Sequence, residues 1–138
     1  MHPVYPPEAA VYRTKVQAFL AEKLPKNWGG TGQLEGEELE AFVTEWRAIL
    51  AAAGYLAPNW PVEYGGAGLT ALEQVILAEE FARAGVPGGG PNDVFGIQML
   101  GNTLLRWGTE EQKKHYLPRI LSGDDVWCQG YSEPNAGS

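Results

Sequence analysis

The most informative part of the sequence is residues 127–138 (WCQGYSEPNAGS), which join a strand-like start to a loop of small, hydrogen-bonding residues. Residues 127–131 alternate bulky and polar positions, which is typical of a half-buried strand. Pro134 fixes one φ angle, Asn135 tolerates a positive φ, and Gly137 lets the backbone approach a ligand closely. Successive N–H groups in such a turn can converge on an anion, with the Ser138 hydroxyl beside them. The spacing alone fits either a cofactor's pyrophosphate or a purely structural turn.

Other reactive residue types give no catalytic or metal site. His2 and His115 are the two histidines, and they are far apart in a sequence without a matching cluster of ligands. Glu79 and Glu80 are adjacent on a predicted helix, where neighbouring positions diverge by about 100°, so we expect a solvated face and not an acid/base pair. The single cysteine, Cys128, lies in the predicted strand, and we expect a small buried hydrophobic residue there and not a nucleophile.

Glycines at 85–90 (GVPGGG) also carry no phosphate-binding signature. They do not follow a predicted strand, and they lack the spacing of the dinucleotide-binding fingerprint. We expect a flexible connection at this point.

Composition limits the class of protein. The 138 residues fit one domain of mainly globular character, because 44% of them are hydrophobic. The formal charge of -7, from 10 basic and 17 acidic residues, argues against nucleic acid or an anionic membrane as the main partner. The sequence shows neither a signal peptide nor an apolar run of about 18 residues, so we expect a cytoplasmic protein without membrane insertion.

Hydrophobic periodicity predicts five helices. The first covers residues 8–23, and the second, stopped by Gly54, carries the clearest apolar stripe. Capping boxes at Thr70 and Thr109 begin the third and fifth helices, which end at Gly85 and Pro118. Asn92 or Asp93 is predicted to cap the fourth. The stripe of the second helix consists of Leu39, Phe42, Val43, Trp46, Ile49 and Leu50.

These elements predict an all-α helical bundle followed by the first strand of a β-domain. The character of the sequence changes at residues 122–125 (SGDD). We therefore expect one helical domain over residues 1–123 and the start of a second domain over residues 124–138.

Four ordered motifs resemble the acyl-CoA dehydrogenase family. They are residues 58–69 (PNWPVEYGGAGL), 79–85 (EEFARAG), 108–118 (GTEEQKKHYLP) and 131–138 (YSEPNAGS). The resemblance implies that the helical part is the N-terminal domain of such an enzyme and that the last motif opens its middle domain. It also implies that these 138 residues are the N-terminal third of the enzyme and are inactive alone.

The resemblance assigns cofactor roles to the last motif. In this family FAD accepts a hydride from Cβ of an acyl-CoA thioester while a carboxylate removes the Cα proton, which yields a trans-2-enoyl-CoA. Gln129 and Tyr131 would contact the isoalloxazine through their backbone, and Ser132 would replace the threonine whose hydroxyl bonds the ring in many relatives. Gly137 and Ser138 would meet the pyrophosphate. Asn135 stands where glycine is usual, which we interpret as a variant of the same turn with positive φ.

The resemblance also implies contacts with the substrate. Ser138 would also lie near the substrate, and the resemblance favours Phe95, Gln98 and Met99 as lining of the acyl tunnel, although their periodicity also fits ordinary core. The Asn135 variant resembles members that act on bulky or steroid-derived acyl chains. No residue in the chain is assigned as the catalytic base, and no metal is expected.

The partners implied are an acyl-CoA, an electron-transfer flavoprotein as acceptor and further subunits of a homo- or hetero-oligomer. A related acyl-CoA oxidase, or a non-catalytic helical partner subunit or interaction module, remains an alternative.

Overall fold

The computed structural model describes residues 3–137, which form five α-helices and one π-helical segment. The helices are α1 (Pro7–Lys23), α2 (Gly36–Ala53), α3 (Ala71–Ala84), α4 (Asn102–Trp107) and α5 (Glu110–Ser122). The π-helical segment (Val94–Gly101) runs directly into α4, and 3₁₀ turns occur at Thr31–Gln33 and Val62–Tyr64. The predicted all-α fold is confirmed. Within residues 3–137, no helix is both long and apolar enough to span a membrane.

The strand predicted over residues 127–131 is wrong. Residues 126–133 have no regular secondary structure, and the part of the chain that the structure describes contains no strand at all. A strand requires backbone hydrogen bonds to a neighbouring strand. An alternating sequence can define two faces, but it cannot supply that neighbour.

Both predicted capping boxes are present. Thr70 Oγ1 accepts a hydrogen bond from the backbone N–H of Glu73 at 3.2 Å, and the Thr70 N–H donates to the Glu73 carboxylate at 3.0 Å. Thr109 and Gln112 repeat the arrangement at 3.1 and 2.9 Å. Each box satisfies backbone donors that the first helical turn leaves without an intrahelical partner. These reciprocal bonds fix where α3 and α5 begin.

Of the two candidate caps for the fourth helix, Asp93 is wrong and Asn92 stays a prediction. Asp93 precedes the π-helical segment but its side chain makes no capping hydrogen bond. The Asn92 carbonyl accepts from the backbone N–H of Phe95 at 3.1 Å, as the carbonyl of a capping residue does. The fifth helix does not end at Pro118 but continues to Ser122. An interior proline costs about 3 kcal/mol. Leu117 and Ile120 on either side of it are buried, and burial of each contributes about 1.5 to 3 kcal/mol, which offsets that cost.

Contacts between Cα atoms divide the chain into two compact units, one up to Gly90 and the other from Pro91. In the first unit α1 packs along α3. The predicted stripe of α2 lies in the core of this unit, since Trp46 is 1% exposed and Leu50 is fully buried. The domain boundary predicted after Gly123 separates a helical domain from the start of a β-domain. The two compact units do not test that boundary, so it stays a prediction.

A partly buried ionic network joins α1 to α3. Arg13 donates to Glu80 at 2.6 Å and to Glu79 at 2.7 Å, and Gln17 donates to Glu80 at 3.4 Å. The Tyr5 hydroxyl donates to the second oxygen of Glu79. The solvated face predicted for the two glutamates is therefore wrong, because Glu80 is only 3% exposed. The sequence shows two adjacent acidic residues, but it does not indicate that Arg13, 66 residues before Glu79, will pair with them.

Glu79 should make stability sensitive to acid. The Tyr5 hydroxyl and, to a smaller extent, the Arg13 guanidinium lower the pKa of this carboxyl. Unfolding returns it to an ordinary pKa of about 4.3. As the pH falls below that value the unfolded chain binds the proton first, so the free energy of unfolding falls until the pH has passed the lowered native pKa.

Tyr5→Phe removes one hydrogen-bond donor to Glu79 and should reduce the dependence of the free energy of unfolding on pH. We expect a smaller loss of unfolding free energy between neutral and acidic pH than in the wild type, measured by urea titration at several pH values. Tyr131→Phe is the control, since Tyr131 is 85% exposed. Parallel profiles for Tyr5→Phe and the wild type would contradict the assignment.

Candidate functional site

The residues predicted to meet a cofactor lie on the 126–137 segment, which follows α5. Its start is fixed by Arg119, which donates two hydrogen bonds to the Asp125 carboxylate at 2.9 and 2.8 Å. The Asp125 N–H also donates to the Arg119 carbonyl at 3.3 Å. The guanidinium lowers the pKa of Asp125, which favours the charged form of the carboxyl. Sequence reasoning missed this pair, because a loop aspartate and a helical arginine are ordinary surface residues.

Trp127 packs against the helices of the second unit. Its ring lies edge-on to Tyr116, with centroids 5.9 Å apart. A Cβ at Gly96 would come within 3.1 Å of Ile120 Cγ2 and 3.6 Å of Trp127 Cδ1, so the missing side chain at Gly96 lets α5 and Trp127 approach the π-helical segment closely. The Trp127 indole N–H is buried and has no hydrogen-bond partner among the described residues. This contact orients the chain just before the predicted cofactor residues.

The turn predicted in the last motif is present, with one correction. The Ala136 N–H donates to the Glu133 carbonyl at 3.0 Å, and Gly137 has a φ of 105°. A Cβ at Gly137 would lie 2.7 Å from Ser132 Oγ, so the two ends of the turn meet. The positive φ predicted for Asn135 is wrong, because Asn27 is the one non-glycine residue with a positive φ in residues 3–137. Gly137 alone supplies the left-handed conformation.

The segment is exposed in a manner that suits a large polar ligand. Gln129, Tyr131 and Ser132 are exposed, and a Cβ at Gly130 would meet nothing within 4 Å. Backbone N–H groups and a hydroxyl beside a left-handed glycine are suitable donors for flavin or phosphate oxygens. These residues therefore fit FAD in chemistry, and their roles stay a prediction. Ser138 lies outside the described residues.

Cys128 is exposed, so the prediction of a buried small residue is wrong. That prediction depended on the strand, whose inward face would have covered the thiol. No cluster of three or more His, Cys, Asp or Glu residues in the described part of the chain could hold a metal ion.

The predicted acyl-tunnel residues lie in the π-helical segment. Phe95 is half-buried, Gln98 is exposed, and Met99 is 43% exposed. An ordinary α-helix would place all three on one stripe. The segment instead has the geometry of i→i+5 hydrogen bonding, which turns through a smaller angle per residue. Gln98 and Met99 are both exposed beside the half-buried Phe95, and lining of a tunnel by these residues stays a prediction.

The helical fold carries the four motifs, and comparison with known proteins gives the family. The profile of the family described as "Acyl-CoA dehydrogenase, N-terminal domain" matches residues 6–124. The chain therefore belongs to the acyl-CoA dehydrogenase family. The resemblance drawn from the four motifs is confirmed.

Individual relatives agree with this assignment. The chain is 44% identical over 135 residues to acyl-CoA dehydrogenase IpdE1 of Mycolicibacterium smegmatis, covering 95% of this chain and 34% of the relative. The structure resembles the Tcur3481-Tcur3483 steroid ACAD with a TM-score of 0.66 and 38% identity, covering 99% of this chain and 34% of that chain. It also resembles the ChsE4-ChsE5 complex from Mycobacterium tuberculosis with a TM-score of 0.62 and 34% identity, covering 99% and 33%. The chain thus spans about one third of the length of these relatives.

Proposed function

We propose that this chain is the N-terminal part of an FAD-dependent acyl-CoA dehydrogenase, which oxidises an acyl-CoA thioester to the trans-2-enoyl-CoA. The observation that carries the proposal is the exposed turn in which Ser132 and Gly137 meet, within a chain of this family. The turn presents polar donors on a segment whose start is held by Arg119 and Asp125.

Each residue of the segment has a proposed role. Bound FAD supplies the hydride acceptor for the hydrogen that leaves Cβ of the substrate. The backbone of Gln129 and Tyr131 would hold the isoalloxazine, and the Ser132 hydroxyl would donate a hydrogen bond to the ring. Gly137 and Ser138 would hold the pyrophosphate, with Ser138 also close to the substrate. None of these residues is a catalytic base, so the proton at Cα would be removed by a group outside this chain.

The acyl group would lie against the π-helical segment. Phe95 and Met99 offer apolar surface there, and Gln98 offers an amide. One structural relative is described as a steroid ACAD, which supports an acyl-CoA with a bulky, steroid-derived acyl group as substrate. We propose an electron-transfer flavoprotein as electron acceptor and the cytoplasm as location.

A non-catalytic partner subunit is the second candidate. The structural relatives are described by pairs of proteins, and one of them is described as a complex. These descriptions support an oligomer for the complete protein, and a hetero-oligomer could divide flavin binding unequally between its subunits.

The flavin spectrum of the complete protein separates the two candidates. We expect the purified protein to be yellow and its flavin absorbance to bleach on anaerobic addition of an acyl-CoA substrate. A colourless protein that becomes active only with a second, yellow subunit would support the partner role and overturn the enzyme assignment for this chain.

Ser132→Ala in the complete protein tests the turn itself. Loss of one neutral hydrogen bond is worth about 0.5 to 1.5 kcal/mol, so FAD affinity should fall roughly two- to tenfold, while the melting temperature of the apoprotein should hardly change. Thr14→Ala is the control, because the Thr14 hydroxyl bonds only its own helix at Ala10. Unchanged FAD retention with a destabilised apoprotein would mean that the Ser132 hydroxyl is structural.

A further inference from the structure

Trp127 lies where the chain leaves the helices of the second unit and enters the segment proposed to bind FAD. Its ring is edge-on to Tyr116 of α5, with centroids 5.9 Å apart. Its Cδ1 atom lies 3.6 Å from the position that a Cβ would take at Gly96, which is an ordinary van der Waals distance. Gly96 is buried and directly follows Phe95 in the π-helical segment. The indole therefore lies against both α5 and the segment proposed to face the acyl group.

Little chain separates this contact from the proposed flavin site. Gln129, the first residue proposed to hold the isoalloxazine, follows Trp127 by two positions. Two extended residues span at most about 7 Å, so a shift of the Trp127 backbone is passed on to the backbone of Gln129 with little slack. On the other side of Trp127, Asp125 is held by its two hydrogen bonds from Arg119. The place of the indole beside Gly96 therefore governs how far the isoalloxazine-binding backbone lies from the π-helical segment.

We propose that Trp127 is a positioning residue, which sets the distance between the flavin and the acyl group through its contact with Gly96. This inference rests on the proposed function, because it requires FAD on residues 129–137 and the acyl group beside Phe95. Hydride transfer needs the donor carbon and the flavin to be close and aligned, and a misplacement of about 1 Å can lower a rate by about a hundredfold. A change in the contact should therefore slow flavin reduction while FAD stays bound.

Two substitutions change the contact in opposite directions. Gly96→Ala adds a methyl group that would lie 3.1 Å from Ile120 Cγ2, which is tight, and 3.6 Å from Trp127 Cδ1. Trp127→Phe leaves a smaller ring and removes an indole N–H that is buried without a hydrogen-bond partner among the described residues. Because an unpaired buried donor is unfavourable, its removal partly offsets the lost packing, and the melting temperature should change little. In the double variant the smaller ring makes room for the methyl group.

The test measures flavin reduction in the complete protein under anaerobic, single-turnover conditions. The probes are saturating octanoyl-CoA and cholanoyl-CoA, and the readout is the rate at which the flavin absorbance bleaches. We expect Gly96→Ala to lower this rate about tenfold and Trp127→Phe to lower it about threefold, with FAD content unchanged in both. The double variant should be faster than Gly96→Ala alone, because residues in contact have effects that do not simply combine.

Gly88→Ala and Trp107→Phe are the matched controls. A Cβ at Gly88 would meet nothing within 4 Å, and Trp107 is 76% exposed. Both variants should keep the wild-type rate, and Trp107→Phe should not relieve the effect of Gly96→Ala. If Gly96→Ala does not fold, Trp127→Phe decides alone. A lower rate with FAD retained would then support the inference, and a wild-type rate would overturn it.

The outcomes distinguish this inference from the proposed function. A wild type whose flavin is bleached, with the same rate in Gly96→Ala and Trp127→Phe, would overturn the inference alone. A slow Gly96→Ala variant that Trp127→Phe does not relieve would also overturn it, since the crowding would then act through Ile120. A complete wild-type protein that binds no FAD, or whose flavin neither acyl-CoA bleaches, would overturn the proposed function, and this inference with it.

Discussion

Replacing Trp46 with alanine should lower the free energy of unfolding by about 3 to 5 kcal/mol, the usual loss for a large aromatic side chain in a core. Trp46 is 1% exposed and lies against the rings of Phe19, Phe42 and Phe81, at centroid distances of 6.1, 5.9 and 6.1 Å. Its indole N–H donates to the Pro87 carbonyl at 2.9 Å, so the substitution also leaves that acceptor without this donor. Urea titration followed by circular dichroism measures the change.

Trp107→Ala is the matched control for Trp46. Trp107 is 76% exposed, and the Arg106 guanidinium lies 5.2 Å from its ring centroid. Removal of an exposed ring should cost about 1 kcal/mol or less. A loss below about 1 kcal/mol for Trp46→Ala as well would show that α2 is peripheral.

Replacing Arg13 with methionine should lower the free energy of unfolding nearly as much as Trp46→Ala does, for an electrostatic reason. Glu80 is 3% exposed, and without Arg13 its carboxylate would keep the Gln17 amide at 3.4 Å and the Arg83 guanidinium at 3.6 Å. Breaking a buried ion pair by removing one member typically costs about 3 to 5 kcal/mol, because it leaves an uncompensated buried charge. Arg13 is 20% exposed, so we expect the lower end of that range. The measurement is again urea titration at neutral pH.

A second substitution checks the cause of that loss. Combining Arg13→Met with Glu80→Met removes both charges and should recover much of the stability, since replacing both members of a buried pair by apolar residues is often nearly neutral. Lys23→Met is the control for a surface pair, because Lys23 and Glu22 are both exposed, and it should cost about 1 kcal/mol or less. A double variant that is less stable than Arg13→Met would refute the unpaired-charge explanation.

The features that could be predicted from the sequence depend on near neighbours in the chain. The capping boxes at Thr70 and Thr109 need residues only three positions apart. Gly54 and Gly85 end their helices because glycine adopts the left-handed conformation at low cost. The apolar stripe of α2 required only helical periodicity to predict its burial.

The features that could not be predicted depend on distant or competing interactions. Burial of Glu80 requires Arg13, and the helix through Pro118 requires a core that outweighs the proline. The π-helical segment has the same side chains that an α-helix would have, so hydrophobic periodicity alone could not distinguish the two helix types. In the candidate site, the turn and its glycine were predictable, whereas the strand and the φ of Asn135 were not, because an alternating pattern specifies neither a partner strand nor one backbone angle.

The Arg119–Asp125 pair also has an entropic consequence for ligand binding. Ordering one backbone residue costs about 1 to 2 kcal/mol, and a ligand that binds an irregular segment must normally supply that free energy for every residue it orders. Asp125 is held by two charge-assisted hydrogen bonds, and Trp127 is packed against Tyr116, so the chain reaches Gln129 from two points that folding has already fixed. A cofactor that binds residues 129–137 then has to offset the ordering cost of that short stretch only. Asp125→Ala should therefore weaken the binding of a ligand held by residues 129–137.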